Sequence, residues 1–599
     1  MPAPDDTASS GSRLGARALA VPSRAGRIDT VARLVLAVIG VAAAVIGFGF
    51  ASSPSEARIW HWVVWGALAG YAAVAWWGAR RSQLGVLEAA RAERWIALLG
   101  VVVGWWTPGA MVCITLLLLT RLWSAYIWLL SFGVNPGLVF VGSFATLIVG
   151  GTGLLMLPAS TPQGAPIGFI DALFTATSAS CVTGLVVRDT GAGFTRFGQS
   201  VILVLFQLGG LGTVLFGGIV ALLMGSSLSL RAVHALSDSA AGGHRGVSSV
   251  RRLVLFAGGA VLITEVIGAI VLFLAWPNSW DGGPVGLDDW SGRAFHSVFF
   301  SVSAFCNAGF ATCATGLQGM RTHWTSHAVI AGLIVVGGIG LPVLVNLAQI
   351  ARSWVRRRWF GHRSMPTRLT LHSRLALLTT LIVYLAGALL IFAGQTSQAH
   401  VPIGQAALDA HFMSVTARTA GFDTVAPASM GMLGRLTLIV SMFIGGSPGS
   451  TAGGFKTLGF AVLMLLVWSA VLDRDSVRAF GRSIRMEIIS RAATLLVLHV
   501  ALCLAVAALL CVTEGGDLGV EPGGISAFEQ YLFESVSACS TVGLSLGITS
   551  SLSDAGKLIV AAGMFFGRVG SLALLVSLVG IARRSQARYA YPSEGVVLS

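Results

Sequence analysis

The sequence predicts an all-α integral membrane protein in which four similar units follow a set of extra N-terminal helices. The first observation is composition: of 599 residues, 55% are hydrophobic and 11% are charged, with a mean hydropathy of +0.80. Soluble domains carry about 25% charged residues, so this chain has too little polar surface for a water-soluble globule. The second observation is a hydroxyl-rich segment ending in glycine that occurs four times. The third is a glycine cluster after each segment.

The glycine-ended segments and the glycine clusters are in phase with each other. The segment glycines lie 125, 112 and 122 residues apart, and the first cluster glycine follows after 25, 28, 24 and 24 residues. Membrane helices often use glycine for close packing, but packing alone does not explain four clusters in phase with four segments. The segments are Thr177–Gly184, Val302–Gly309, Ser414–Gly421 and Val536–Gly543, and the clusters begin at Gly209, Gly337, Gly445 and Gly567.

Apolar stretches long enough to span a membrane, about 20 residues each, flank every glycine-ended segment. The sequence therefore predicts four span–pore-loop–span repeats around a pseudo-fourfold pore. The predicted span pairs are 138–158 and 197–224, 253–276 and 325–350, 369–394 and 431–471, and 492–513 and 556–582, with loops at 168–187, 290–311, 405–424 and 525–546. The predicted domains are a disordered cytosolic tail at 1–30, extra membrane helices at 31–137, repeats at 138–230, 231–352, 353–474 and 475–585, and a cytosolic tail at 586–599.

The charge pattern predicts the orientation of these spans. Arginines cluster in the gaps between repeats, while the gaps within the second and fourth repeats lean acidic. Because basic residues stay on the cytosolic side, both termini are expected in the cytosol and the loops are expected to enter from outside. The net charge of +14 is thereby explained without nucleic acid. The N-terminal spans are predicted at 34–52 and 59–79, and the number of crossings within 95–132 stays open, with an even number favoured.

The recurring loops suit the passage of a cation. An ion entering a narrow pore needs oxygens that replace its hydration shell, and backbone carbonyls supply them without a trapping charge. Glycine reaches positive φ without a steric penalty, so one glycine per loop allows carbonyls to turn toward a common axis. The short helical segments before the glycines would point their C-terminal ends, which carry about half a negative charge, at a central cavity.

These motifs resemble the Trk/Ktr/HKT superfamily of potassium transporters, and most closely its Ktr-type membrane subunit. The resemblance covers about 138–585 and is most specific in the run Gly445–Thr457 and in Gly567–Gly570. It implies a single-file selectivity filter with K⁺ at the carbonyls of Gly184, Gly309, Gly421 and Gly543, and four filter glycines imply potassium selectivity. The full set of expected filter residues is Val182, Thr183, Gly184, Asn307, Ala308, Gly309, Thr419, Ala420, Gly421, Thr541, Val542 and Gly543.

A glycine-, serine- and proline-rich stretch interrupts the long apolar segment of the third repeat. Clustered glycine and proline break helices, which predicts a flexible obstruction, and the resemblance implies an intramembrane gating loop; a simple helix kink is the alternative. The expected gating-loop residues are Gly445, Gly446, Ser447, Pro448, Gly449, Ser450, Thr451, Ala452, Gly453 and Gly454.

Two cations are expected to act in the cavity beneath the filter. Arg568 lies in an apolar span, where an unpaired charge costs about 2.5–3.5 kcal/mol. We expect it to form an electrostatic barrier beside the gating loop, with pairing to Glu265 as the alternative. Lys456 is expected to act similarly or to pair with an acid at the cytosolic end.

The sequence thus predicts regulated potassium uptake across a bacterial plasma (inner) membrane by a multi-pass protein. A sodium-conducting or sodium/potassium-cotransporting relative is the first alternative, and a membrane enzyme or receptor with a polar pocket is the second. No nucleotide-cradling motif, catalytic spacing or metal-ligand spacing occurs, and the seven cysteines do not suggest a disulfide framework,. The resemblance implies a homodimer in membrane lipid, no covalently bound cofactor, and a separate cytosolic ring that binds the regulatory nucleotide.

Overall fold

The structure is a computed structural model, and it describes most of the chain from residue 32 to residue 570. The chain divides into two units, Met1–Val134 and Asn135–Ser599. The predicted tails at 1–30 and 586–599 and the end of the last predicted span lie outside the described residues. The described ranges are 32–33, 35–43, 54–81, 88–103, 113–114, 117, 136–162, 165–223, 247–277, 283–284, 286–313, 316–360, 368–396, 401–515 and 525–570.

The first unit is helical wherever the structure describes more than a few consecutive residues. Residues 35–43 are helical, and two further helices are α1, Pro54–Arg81, and α2, Glu88–Val103. Tyr71 and Leu68 of α1 are fully buried in a small apolar core. The predicted spans at 34–52 and 59–79 overlap these helices. Most residues after 103 in this unit are not described, so the number of crossings within 95–132 remains a prediction.

The described residues of the second unit form helices and one hairpin of two two-residue strands. Within the part of the chain that the structure describes, four helical stretches are long and apolar enough to cross a membrane, or five if a bent pair counts as one span. Its helices are α3 Pro136–Leu155, α4 Phe169–Ser180, α5 Arg196–Leu223, α6 Val247–Ala275, α7 Trp290–Cys306, α8 Trp324–Ile339, α9 Leu341–Phe360, α10 Leu371–Thr396, α11 Ile403–Thr416, α12 Met432–Ile444, α13 Thr457–Val471, α14 Met486–Thr513, α15 Ala527–Cys539 and α16 Asp554–Phe565. Strands β1, Arg478–Ala479, and β2, Arg482–Ser483, pair antiparallel.

One arrangement occurs four times along the second unit. A long helix (α3, α6, α10 or α14) is followed by a shorter helix (α4, α7, α11 or α15) that packs against it. A loop leaves each shorter helix and leads to the next helix. We name these loops by their glycine-bearing residues: loop 1 is 181–187, loop 2 is 307–313, loop 3 is 417–424 and loop 4 is 540–549. The shorter helices α4, α7 and α15 lie within the predicted loop regions, and α11 begins two residues before its predicted region.

The helices after the four loops differ from one another more than the sequence predicts. Helix α5 runs without a break from Arg196 to Leu223. The predicted single span at 325–350 is two helices, α8 and α9, which are bent by 102° at Gly340. The predicted span at 431–471 is broken between α12 and α13, where the sequence predicts an interruption, and α16 ends in a π-helical turn, Phe566–Gly570.

Buried apolar side chains anchor the exit of each loop. The residue after every loop glycine is at most 1% exposed: Leu185, Phe310, Phe422 and Leu544. Full burial of such side chains stabilises a fold by about 1.5–3 kcal/mol each. Phe310 stacks on Phe206 of α5 with ring centroids 6.0 Å apart, and Phe422 stacks on Phe300 of α7 at 6.2 Å. Neighbouring segments therefore hold the loops in place.

Candidate ion-conduction site

The four loop glycines lie against one another in a closed circuit. A Cβ atom placed on Gly184 would lie 2.9 Å from Cα of Gly309, and one on Gly309 would lie 3.0 Å from Cα of Gly421. A Cβ on Gly421 would lie 3.3 Å from Cα of Gly543, and one on Gly543 would lie 3.0 Å from Cα of Gly184. Loops that are more than 100 residues apart in sequence thus form one ring. Glycine is required at these positions for space as well as for its backbone freedom.

Each loop contains two left-handed residues separated by one residue. The glycines have φ of 95°, 70°, 79° and 96° in loops 1 to 4. The residue two positions earlier also has positive φ, although it is not glycine: Val182 58°, Asn307 56°, Thr419 74° and Thr541 51°. Such a conformation costs a non-glycine residue about 1–3 kcal/mol and is rare for a β-branched side chain. The sequence predicts the glycines but gives no signal for the strained partners.

Hydrogen bonds at the ends of the shorter helices hold these loops. In loops 1, 2 and 4 the backbone N–H before or near the glycine donates to a carbonyl five residues earlier, at 2.8 Å in each case. With the left-handed residue between them, these bonds form the motif that ends many helices, usually around glycine. In loop 3 the N–H of Ala420 donates to Thr416 only four residues earlier. Loop 3 is therefore one residue shorter. The three bonds that span five residues run from the N–H groups of Thr183, Ala308 and Val542 to the carbonyls of Ser178, Ser303 and Ser537.

The glycine clusters in the following helices face the shorter helices. A Cβ on Gly209 would collide with the carbonyl oxygen of Ser180, and a Cβ on Gly337 with that of Phe305. Gly567 stands in the same way against Cys539. Each of these carbonyls lies four residues before a loop glycine, which explains why the three clusters follow their loop glycines at similar distances of 25, 28 and 24 residues. Gly445 differs, because it packs against Gly453 and Gly454 in its own segment.

The segment 445–456, which we call the intramembrane segment, folds back against α8. The N–H of Ser447 donates to Gly338 at 3.0 Å, and the N–H of Leu341 donates to Gly449 at 2.9 Å. The segment turns at Gly445, Gly449, Gly454 and Lys456, which have φ of 66°, 72°, 73° and 85°. Most of its residues are buried. The segment is therefore an ordered element packed inside the protein and is more than a kinked helix.

Two hydrogen bonds tie the intramembrane segment to loops 2 and 3. Nδ2 of Asn307 donates to Oγ1 of Thr451 at 3.1 Å, and the N–H of Gly453 donates to Oγ1 of Thr419 at 2.9 Å. Thr451 Oγ1 also donates to the carbonyl of Phe305 at 3.1 Å. Asn307 and Thr419 are the strained residues of their loops. The segment thus bonds directly to the ring-forming backbone.

Arg568 lies beside the same segment. Its Nη1 donates to the carbonyl of Thr451 at 2.6 Å, and its Nη2 donates to Oγ1 of Thr213 at 3.1 Å. Glu265 takes other partners: Gln207 Nε2 donates to its carboxylate at 2.8 Å. The alternative pairing of Arg568 with Glu265 is therefore not the arrangement seen. Lys456 donates from Nζ to the carbonyl of Ala452 four residues earlier.

Arg418 is a further buried cation beside the ring for which we made no prediction from the sequence. Arg418 in loop 3 is 9% exposed and lies three residues before Gly421. Its Nη2 donates to Oγ1 of Thr380 at 3.2 Å and its Nε to the carbonyl of Gly445 at 3.4 Å. The sequence does contain a signal for this residue, because Arg418 is the only charged residue in the four glycine-ended segments.

Among the described residues, three ion pairs join successive loop-bearing segments of the second unit through the shorter helices. Arg321 pairs with Asp409, Arg435 Nε lies 2.6 Å from Glu529 Oε1, and Lys557 Nζ lies 2.7 Å from Asp171 Oδ1. In each pair a base from after one loop contacts an acid on the shorter helix before the next loop, and the last pair leads back to the first. Arg196 and Asp289 stand at the remaining junction. The pKa of Asp289 is lowered, chiefly by the hydrogen bond from Ser291 and in part by Arg196.

Comparison with known proteins identifies the family. The family model of the TrkH cation transport proteins matches residues 114–584. The chain belongs to the TrkH family of cation transport proteins. It is therefore a multi-pass membrane ion transporter and not an enzyme.

Curated relatives and a solved structure agree with this family. The potassium/sodium uptake protein NtpJ of Enterococcus hirae is 32% identical over 472 residues, which cover 78% of this chain and 97% of that protein. The Ktr system potassium uptake protein B of Bacillus subtilis is 34% identical over 461 residues, or 76% and 95% of the two chains. The crystal structure of the potassium transporter TrkH from Vibrio parahaemolyticus matches 86% of this chain and 97% of its own, with a TM-score of 0.57 and 16% identity. At that identity the likeness concerns the fold alone.

Proposed function

We propose that this TrkH-family protein mediates potassium-selective uptake through a single-file filter formed by its four loops. The observation that carries the proposal is the closed circuit of Gly184, Gly309, Gly421 and Gly543. Four loops with the same pair of left-handed residues, converging on one ring, form a pseudo-fourfold pore. The names of the relatives, which cite potassium uptake or potassium/sodium uptake, support the class of cargo.

The backbone pattern of the loops suits carbonyl coordination. In an ordinary extended chain, successive peptide groups point to opposite sides. A left-handed residue at every second position rotates alternate peptide groups, so that consecutive carbonyls turn to the same side. We assign the coordinating oxygens to the residues expected from the sequence, with K⁺ at the carbonyls of the four glycines. Uncharged carbonyl dipoles replace water without holding the ion too tightly.

The four shorter helices supply the electrostatic field for this pore. The helices α4, α7, α11 and α15 end where the loops begin, so their partly negative C-terminal ends meet at the ring. A cation beneath the ring is stabilised by all four ends. The membrane potential supplies about 2.3 kcal/mol per charge per 100 mV, which is sufficient to drive accumulation without ATP hydrolysis in this chain.

The intramembrane segment acts as the gate in this proposal. It is bonded to Asn307 and Thr419 of the filter and is held from the other side by Arg568. The guanidinium also places a positive charge in the ion path, and Lys456 adds a second. Removal of residues 445–454 should raise conductance several-fold in protein that remains folded. Unchanged or lower flux in such protein would contradict the gating role.

A sodium-conducting or cotransporting activity is the alternative, which the name of the Enterococcus hirae relative favours. The relative named as protein B of a Ktr system suggests that the system has a further component. We propose a homodimer in the plasma membrane, with cytosolic termini and a separate cytosolic ring that binds the regulatory nucleotide. The basic clusters between repeats support this orientation,.

Flux into proteoliposomes tests the proposed function. Purified protein should take up ⁸⁶Rb⁺ down a potassium diffusion potential, and external K⁺ should compete much better than Na⁺. Equal competition by the two ions would favour the sodium alternative. Absence of uptake both with and without a ring partner would contradict transport by this chain.

A further inference from the structure

A buried carboxylate stands directly behind loop 4. Glu534 lies in the middle of α15 and is 0% exposed. Oγ of Ser545 donates to its Oε2 at 2.8 Å, and Oγ1 of Thr549 donates to its Oε1. The two hydroxyls are also 3.0 Å apart, and the N–H of Gly547 donates to Ser545 Oγ at 2.9 Å. The carboxylate therefore joins the helix before the ring to the chain that leaves it.

The partners of this carboxylate are unusual for its burial. The acids of the inter-segment ion pairs each contact a basic side chain. Among the hydrogen bonds and ion pairs of the described residues, Glu534 has hydroxyl partners and no basic one. Burying a carboxyl group without a countercharge costs several kcal/mol. Such a cost is typical of functional positions.

Among the four loops, loop 4 alone follows a helix that has a carboxylic acid at this position. Ser545 lies two residues after Gly543, and Glu534 lies nine residues before it. Allowing for the shorter loop 3, the positions that correspond to Glu534 hold Thr175, Phe300 and Met413. None of these three is a carboxylic acid. A buried carboxylate at this position therefore holds only the quarter of the ring that loop 4 supplies.

We propose that Glu534 is a positioning residue that fixes the chain after Gly543 and so keeps the ring in its potassium-selective geometry. The ring leaves little room for movement, since a Cβ on Gly543 would lie 3.0 Å from Cα of Gly184. If the exit of loop 4 is released, the carbonyl spacing relaxes, and a relaxed ring loses its preference for one ion size. This inference rests on the proposed potassium-selective function.

The test compares Glu534→Ala and Glu534→Gln in the full-length protein. Reversal potentials in lipid bilayers measure the permeability ratio of K⁺ to Na⁺. Glu534→Ala should lower that ratio tenfold or more. Glu534→Gln should retain much of it, because an amide oxygen still accepts from one hydroxyl and the other hydroxyl can rotate to accept from the amide nitrogen.

Glu529→Gln is the matched control on the same helix. Glu529 pairs with Arg435 and lies five residues earlier in α15. Its change should lower the melting temperature and leave the permeability ratio unaltered. A general weakening of α15 would move both variants together, whereas a positioning role moves the ratio only in Glu534 variants.

If Glu534→Ala does not fold, single substitutions of the two residues whose hydroxyls donate to Glu534 test the same inference. Ser545→Ala and Thr549→Val each remove one donor to Glu534 and should each lower the ratio several-fold. Wild-type ratios in all folded variants would overturn the inference while leaving the proposed function intact. A wild-type protein without potassium preference would instead overturn the proposed function.

Discussion

The substitution Gly184→Ser tests the packing of the ring. An added Cβ would lie 2.5 Å from the carbonyl oxygen of Ala308, whereas ordinary contact begins at 3.4 Å. The two loops must therefore separate by about 0.9 Å at this point. The residue must also keep a φ of 95°, which costs a residue with a side chain about 1–3 kcal/mol.

The expected effect is on selectivity more than on folding. A free-energy change of 1.4 kcal/mol alters an equilibrium tenfold, so strain of this size corresponds to a loss of about five- to 140-fold in the K⁺ to Na⁺ permeability ratio. Bilayer reversal potentials give this ratio directly. Gly481→Ser is the matched control, because Gly481 also has positive φ, 75°, but has nothing within 4 Å of an added Cβ.

The two variants separate crowding in the ring from backbone strain in general. Gly481→Ser should lower the melting temperature slightly and leave the permeability ratio as in the wild type. If Gly184→Ser also leaves the K⁺ to Na⁺ permeability ratio unchanged in folded protein, the packing of the ring does not determine selectivity.

Two further experiments test the contacts that hold the second unit together. Arg568→Ala removes the charged hydrogen bond to Thr451, which is worth about 1.5–3 kcal/mol, and should raise liposome flux about tenfold. Arg485→Ala, which changes an exposed arginine, is the control for loss of charge alone. Equal flux in the two variants would argue that Arg568 does not restrain the intramembrane segment. A double-mutant cycle on Arg435 and Glu529 should give a coupling of about 1–3 kcal/mol in unfolding free energy, and a coupling near zero would show that this ion pair does not hold the segments together.

The sequence allowed the prediction of the four glycines and of the interruption at 445–454, because both depend on local backbone chemistry. The same reasoning misplaced the end of α8. The cluster Gly337–Gly340 resembles the cluster after Gly209, which stays helical. Gly340 turns because the intramembrane segment docks there: Leu341 donates to Gly449, and a Cβ on Gly340 would lie 2.7 Å from the carbonyl of Pro448. The bend is a tertiary effect.

The side-chain contacts could not be predicted from the sequence, because they too depend on tertiary structure. The ion pair between Lys557 and Asp171 joins residues 386 positions apart, and the bond from Asn307 to Thr451 spans 144. A single sequence contains no signal that couples such positions. We made no prediction for Glu534 from the sequence, because its partners become apparent only when the chain after Gly543 folds back on α15.

Anomalous scattering of Tl⁺, a heavy substitute for K⁺, in crystals of the protein tests most directly whether the four loop glycines surround the ion path. We predict Tl⁺ on the axis between Gly184, Gly309, Gly421 and Gly543, with loss of that density in excess K⁺ and not in Na⁺. Ordered Tl⁺ elsewhere in the second unit, with none inside the ring, would contradict it.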